Sequence, residues 1–282
     1  MYDIVVLGNG PAGLSAAVTA RQKGKSVLVF GRPLEENPLW KAPRVDNYLG
    51  LPGVSGAELL KQFRDHAAAL GAELRQERVQ AMLPMKDSWS LNAGNDIVEA
   101  RRVILAPGVV RAARVPGEEA FLGRGVSYCA TCDGMLFRKK AVVVVGRAKD
   151  APQEANWLKE IGCQVTYVSA QTAEGLRPDI PAVLAKKLEI LGERTVAALR
   201  ADGADLPCEG VFLLRESMAP TDLLPDLETE GGYIRVDRSM AANLPGVYAA
   251  GDCTGKPLQV SKAVGEGLIA AEAAADSITS LS

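Results

Sequence analysis

At 282 residues, with 48% apolar and 23% charged side chains, the chain is long enough for two domains with cores of their own. A formal net charge of -2 gives no global pull toward nucleic acid or an anionic membrane, and no uninterrupted apolar run reaches membrane length. Five cysteines without an even framework point to a reducing compartment. The N-terminus enters a strand directly, with no basic leader, so the expected location is cytoplasmic.

Asp3-Ile4-Val5-Val6-Leu7 reads as a buried parallel strand, β-branched and without alternation. Gly8-Asn9-Gly10-Pro11-Ala12-Gly13 follows at once, then a helical period through Leu14, Ala17, Val18 and Ala20, then a second strand, Ser26 to Phe30. This is GxGxxG in its full strand–helix–strand setting. Gly8 permits the tight turn, Gly10 lets backbone approach a pyrophosphate, and Gly13 lets helix and strand pack closely. The amides and the helix dipole then favour phosphate. The acid that normally follows the second strand is missing, since Phe30 runs into Gly31-Arg32-Pro33, so the ribose contact must come from elsewhere.

Gly31 to Gly56 is a long Pro- and Gly-punctuated loop, a length that inside a compact domain usually signals function. Ser55 and Glu58 form a capping box for a helix carrying Leu59, Leu60, Phe63, Ala67 and Leu70, and His66 falls on its surface. Strands are expected around Glu73–Met82, Trp89–Leu91 and Ile97–Leu105, the last two joined by a turn at Ala93-Gly94-Asn95-Asp96. Arg111 to Pro116 reads as the first interdomain connection.

Cys129-Ala130-Thr131-Cys132-Asp133-Gly134 is the stretch with the clearest chemistry. Two cysteines at this spacing serve either as a zinc half-site or as a redox pair in which one thiol has a lowered pKa. Zinc would need a second close Cys or His pair. Cys163, Cys208 and Cys253 stand alone and His66 is the only histidine, which favours the redox reading and no metal. Asp133, directly after the pair, is placed to handle the protons of a dithiol–disulfide cycle.

The first unit then repeats: Gly8 falls on Gly146, Gly24 on Gly162 and Val27 on Val165, with Ala141 to Val145 matching the first strand. The repeat predicts a second nucleotide-type domain. Its diagnostic positions differ, however. Ala148 and Ala151 replace the second and third glycines, Asp150 sets a negative charge at the helix N-terminus, and Ser169-Ala170-Gln171 offers neither an arginine nor a carboxylate. The expectation is a retained fold and a lost nicotinamide site. Ile180 to Leu191 is read as a helix, with strands near Thr195–Leu199 and Val211–Leu214 around a turn at Ala201-Asp202-Gly203. Cys163 and Cys208 are read as buried apolar fillers.

Tyr233 to Val236 gives another strand, and Val247-Tyr248-Ala249-Ala250-Gly251-Asp252 a buried strand ending in an acid suited to a polyol. Gln259 opens a C-terminal helix with Val260, Val264, Leu268 and Ala271 at helical spacing. The fold class is therefore α/β: two Rossmann-like three-layer domains, the CxxC domain (113–230) inserted into a cofactor domain made of 1–112 and 231–282.

Gly8–Gly13, Cys129–Gly134 and Ala249–Asp252, in that order over essentially the whole chain, resemble the low-molecular-weight thioredoxin reductase family. Val45-Asp46-Asn47-Tyr48 is similar to its flavin-side loop and Gly123 to Ser127 to its approach to the redox cysteines. The resemblance implies FAD, held by Gly8, Gly10, Pro11, Ala12, Gly13, Asn47, Gly251, Asp252, Gln259 and Val260, and a homodimer. It implies that Cys132 faces the flavin, Cys129 attacks the disulfide of thioredoxin, and Asp133 carries protons. NADPH-using members carry a complete second fingerprint, which is absent here. Lys41-Ala42-Pro43 with Asn47 to Gly50, and Gly251 to Pro257, resemble the ferredoxin-dependent flavin thioredoxin reductases, so ferredoxin is the expected donor, docking near Lys41, Arg44 and Lys256. The alternatives are an NADPH enzyme with a divergent site, a related disulfide oxidoreductase with another donor, and a flavin redox sensor.

Overall fold

The computed structural model describes residues 1–282 apart from 95, 109–113, 216–219 and 280–282. The chain divides into two compact units, Met1–Val110 with Ala219–Ser282, and Arg111–Met218.

The first unit opens with β1 (Tyr2–Leu7), α1 (Pro11–Gln22) and β2 (Val27–Phe30). Ile4 and Val6 enter one core while Val5 and Leu7 enter the other, so β1 is buried on both faces and carries no polar alternation. The long loop holds two short 3₁₀ turns, Leu34–Glu36 and Pro38–Lys41. At α2 (Gly56–Ala69) both arms of the capping box form between Ser55 and Glu58, and His66 lies exposed in the last turn. Next come β3 (Glu73–Arg75), β4 (Val79–Pro84), β5 (Trp89–Ala93) and β6 (Asp96–Leu105). Asn95, in the expected turn between β5 and β6, lies outside the described residues, as do 111–113 of the expected connection. β1 pairs in parallel with β2 and β6, and β4 and β5 continue the sheet antiparallel.

The second unit contains α3 (Glu118–Phe121), β7 (Val126–Ser127), α4 (Ala130–Asp133), β8 (Ala141–Gly146), α5 (Ala151–Glu160) and β9 (Gln164–Ser169). Then follow β10 (Ala182–Leu184), β11 (Leu188–Gly192), β12 (Val196–Ala201), β13 (Ala204–Pro207) and β14 (Gly210–Leu214). An all-parallel sheet runs β10-β9-β8-β14-β7 and packs Val142, Val144, Val165 and Phe212 against Ala151, Ala155 and Leu158 of α5. The helix expected over 180–191 is absent: β10 adds to the edge of β9, and β11 forms a hairpin with β12. The Asp202 carboxylate accepts from the Lys186 and Lys187 amides and pins the bend between the two strands. Strand pairing available only in the folded sheet outweighs the helical propensity of that run.

The chain returns through α6 (Pro220–Leu223), β15 (Thr229–Glu230), β16 (Tyr233–Ile234), β17 (Val247–Ala249) and α7 (Val260–Thr279). The second junction therefore falls at 218/219 rather than 230/231. Leu224 and Leu227 are buried in the core of the first unit, and Gly231-Gly232 is the turn of the β15–β16 hairpin rather than a domain boundary. β17 pairs in parallel with β6. Among the described residues no helix is long and apolar enough to cross a membrane.

Helices α1 and α7 pack through Ala16, Ala17 and Ala20 against Ala270, Ala271 and Ala274. They approach so closely that a Cβ on Gly267 would stand 2.1 Å from the Ala12 carbonyl. Gly267→Val should push the helices apart and lower stability by about 1–3 kcal/mol, read as a drop in the thermal midpoint. An unchanged midpoint would show that the contact tolerates side chains.

Candidate redox and cofactor sites

Strand β7, pinned by its pairing to β14, delivers the redox loop. Cys129 and Cys132 are joined as a disulfide, and Cys129 caps α4 with its sulfur accepting from the Cys132 amide at 3.1 Å. The Ser127 hydroxyl donates to the Asp133 carboxylate at 2.7 Å and accepts from the Cys129 amide at 3.1 Å, so one side chain orients both the expected proton carrier and the backbone of the cysteine.

Just before the pair, the Tyr128 hydroxyl donates to Glu118 at 2.8 Å. Arg215 grips the same carboxylate with both terminal nitrogens, at 2.7 and 2.5 Å, and the Val115 amide adds a third donor at 2.8 Å. Burial alone would push the Glu118 carboxyl up. The Arg215 bonds, the Val115 amide and Tyr128 outweigh it and hold the group below the usual carboxylate range. Gly134 follows the pair and lies under α5, where a Cβ would strike Trp157 and Leu158 at 2.6 and 2.7 Å. Cys163, Cys208 and Cys253 are buried, as the sequence led us to expect for the first two. Burial pushes the Cys163 thiol up, Cys208 to about 11 and Cys253 to about 12, so these remain protonated and inert. No three His, Cys, Asp or Glu side chains among the described residues are grouped as a metal centre.

In the first unit, Gly8 has φ +125°, and a Cβ there would fall 2.1 Å from the Ala106 carbonyl; one on Gly13 would fall 1.8 Å from that of Gly8. Gly10 is the extended cap of α1, Pro11 its first residue, and Ala12 is buried beneath Gly251, whose added Cβ would come within 2.8 Å of it. The turn thus meets the Gly251–Thr254 turn at one end of the sheet, bare backbone facing outward, which fits a pyrophosphate-bearing cofactor. Asp252 is half-buried, and burial pushes its carboxyl up against the opposing pull of Lys262. Lys262 donates to the carbonyls of Gly251 (2.7 Å) and Gly255 (2.8 Å) and pairs with Glu266 (2.9 Å), which in turn accepts from the Gly251 amide at 2.8 Å. Asn47 donates to Gln259 at 2.7 Å, tying the long loop to the start of α7 at Val260. Lys41 and Lys256 are exposed, whereas Arg44 is drawn onto Asp46 at 2.7 Å.

The second cradle is built differently. A Cβ on Gly146 would lie 1.8 Å from the Tyr167 hydroxyl, because this side chain of β9 stands against the turn. Burial, with Asp150 adding to it, pushes the Tyr167 phenol up and keeps it neutral. Ala148 and Ala151 are both buried. Sequence reasoning missed Tyr167, Glu118, Tyr128, Arg215, Lys262 and Glu266. Glu118 meets Arg215 97 residues along the chain and Tyr167 meets Gly146 across paired strands, so no local pattern marks those contacts, whereas the i,i+4 spacing of Lys262 and Glu266 on α7 was the available signal.

A glycine-cradled dinucleotide unit combined with a unit carrying a CxxC disulfide defines a disulfide oxidoreductase. The family model for pyridine nucleotide-disulphide oxidoreductases matches residues 2–267. The thioredoxin reductase of Treponema pallidum (strain Nichols) is 35% identical over 99% of this chain and 98% of its own length. Among solved structures, a ferredoxin-flavin thioredoxin reductase from Clostridium acetobutylicum is 42% identical with a TM-score of 0.89, covering 99% of this chain and 98% of that one. The atypical thioredoxin reductase TRi from Desulfovibrio vulgaris Hildenborough is 32% identical with a TM-score of 0.78, covering 99% of each chain. The chain belongs to the pyridine nucleotide-disulphide oxidoreductase family, among its thioredoxin reductases. Its cofactor is FAD.

Proposed function

We propose that the protein carries electrons from reduced ferredoxin, through FAD, to the Cys129–Cys132 pair and on to the disulfide of thioredoxin. The observation that carries the choice of donor is the Tyr167 hydroxyl against Gly146, beside Ala148, Asp150 and Ala151, where a nicotinamide dinucleotide would need bare backbone. The likeness to the Clostridium ferredoxin-flavin enzyme supports the same choice.

Gly8, Gly10, Pro11, Ala12 and Gly13 would hold the pyrophosphate, Gly251 and Asp252 the sugar-like hydroxyls, and Asn47, Gln259 and Val260 the ring end. Bound FAD supplies the conversion of single electrons into the pair that opens a disulfide. Cys132 would be the sulfur of the disulfide that takes up the electron pair that bound FAD supplies, leaving Cys129 as the thiol offered to substrate. The Cys129 thiolate attacks one sulfur of the thioredoxin disulfide, and the sulfur that leaves takes up a proton. Cys132 then attacks Cys129, re-forming the internal disulfide and releasing dithiol thioredoxin. Asp133, oriented by Ser127, moves the protons. A plant-type ferredoxin at about -400 mV and a thioredoxin at about -270 mV leave roughly 6 kcal/mol for two electrons. The active form is a homodimer, and Lys41 and Lys256 offer exposed positive charge to an acidic donor.

The deciding experiment is anaerobic reduction of the flavin with reduced ferredoxin, NADPH and NADH in parallel. Ferredoxin should bleach the visible absorbance of the oxidised flavin at a rate that falls with added salt, and neither nucleotide should do so at catalytic speed. Rapid bleaching by NADPH would overturn the choice of donor.

A further inference from the structure

Helix α5 occupies the place of a nucleotide-binding helix, yet its contacts lead to the redox loop. The Glu154 carboxylate, buried in the first turns of α5, accepts from the amide of Ala130 at 3.3 Å. One turn further along, Trp157, Leu158 and Ile161 close over Gly134, and beyond the helix the Cys163 thiol donates to the Phe137 carbonyl at 3.2 Å. The loop from 130 to 137 is therefore seated on α5 and the residue that leads into β9. From α5 it is Glu154 that brings a carboxylate to the cysteine end, where Asp133, held by Ser127, is a second carboxylate and the Glu118–Arg215 pair stands behind Tyr128. The amide it holds is bonded to the carbonyl carbon of Cys129, two covalent bonds from the Cα that bears the thiol.

We propose that Glu154 is a positioning residue for the Cys129–Cys132 pair: its carboxylate fixes the Ala130 peptide and sets a negative charge beside Cys129 that governs how readily the opened thiol ionises. The fold of the second unit thereby retains a use after its nucleotide cradle has filled. Opening the disulfide adds two electrons and two protons, and the thiol of Cys129 must then lose its proton to attack a substrate disulfide. An anion close by opposes that loss. It keeps the resting dithiol protonated to higher pH and limits its reaction with stray disulfides and oxidants. Glutamine in place of Glu154 keeps an oxygen that can accept from the Ala130 amide but removes the charge, which separates the electrostatic role from a purely structural one.

The inference rests on the pair cycling between disulfide and dithiol, and the test reports on that step separately. Full-length, FAD-loaded protein is treated with dithiothreitol, which passes two electrons and two protons to the disulfide and itself closes to a ring. After anaerobic desalting, iodoacetamide labelling of the peptide carrying Cys129 and Cys132 is followed by mass spectrometry from pH 5 to 9. Labelling of the wild type at both cysteines shows that the pair opens; its absence would remove the cycling reading and this inference with it. With opening established, Glu154→Gln should move the labelling profile to lower pH and raise the rate at pH 6 by about threefold to tenfold, the effect of removing one nearby charge. Glu154→Asp should lie closer to the wild type than to Glu154→Gln. A Glu154→Gln profile that superimposes on the wild type, or moves to higher pH, overturns the proposal.

Discussion

Serine in place of Cys129 or of Cys132 is expected to lower thioredoxin-disulfide turnover by about a thousandfold or more while leaving FAD bound. The two losses differ in kind. Without Cys129 no mixed disulfide with substrate can form. Without Cys132 the mixed disulfide forms but is not resolved, so a covalent adduct should accumulate on Cys129 and be released by dithiothreitol. The glycine turn at Gly8–Gly13 and the Gly251–Thr254 turn belong to the other unit, so flavin absorbance should survive gel filtration in both variants. Turnover retained by either variant would contradict the assignment, and so would a stable adduct on the variant that lacks Cys129.

The second large effect is expected at the buried ion pair behind the redox loop. Glu118 is 1% exposed and meets Arg215, the Val115 amide and Tyr128 at once. Glu118→Ala strands a buried guanidinium and should cost about 3–5 kcal/mol, with a fall in thermal midpoint of about 10 °C or more. Its folded-state pKa lies below the ordinary value of 4.5, so the carboxylate adds stability above that value. That contribution is lost as pH falls through the lower, folded-state pKa. The stability gap between wild type and Glu118→Gln, measured by urea unfolding, should therefore be full at neutral pH and narrow below about pH 4.5. A gap that stays constant down to pH 3 would mean that the pair contributes through shape alone. Tyr128 immediately precedes Cys129, so loss of Glu118 should also loosen the redox loop.

Local chemistry was readable from the residues, and pairing across the chain was not. The Ser55–Glu58 capping box, the glycine turns and the CxxC could be placed because each is defined by spacing over a few residues. The repeat located β8, α5 and β9 because strand and helix periods carry over even where the diagnostic glycines do not. The run 180–191 was misread because Ala, Leu, Lys and Glu favour a helix until β9 and β12 supply edges to pair with. The second domain boundary was misplaced because a glycine pair in a hairpin resembles a linker. Glu118 and Arg215 are 97 residues apart, and Tyr167 meets Gly146 only across paired strands, so neither contact leaves a local trace.

The insertion of one unit into the other also fixes an order of events on the ribosome. Residues 111–218 form a continuous segment and can close as soon as Leu214 is available, whereas β1 to β6 lack β17 and α7 until residues 247–279 have been made. At ordinary translation speeds the interval is roughly 3–13 seconds. During it the disulfide-bearing half is complete while the half destined for the flavin is an open sheet with one apolar face uncovered. Cofactor loading therefore waits for β17 and α7, and the nascent first part of the flavin unit is the part that most needs a chaperone.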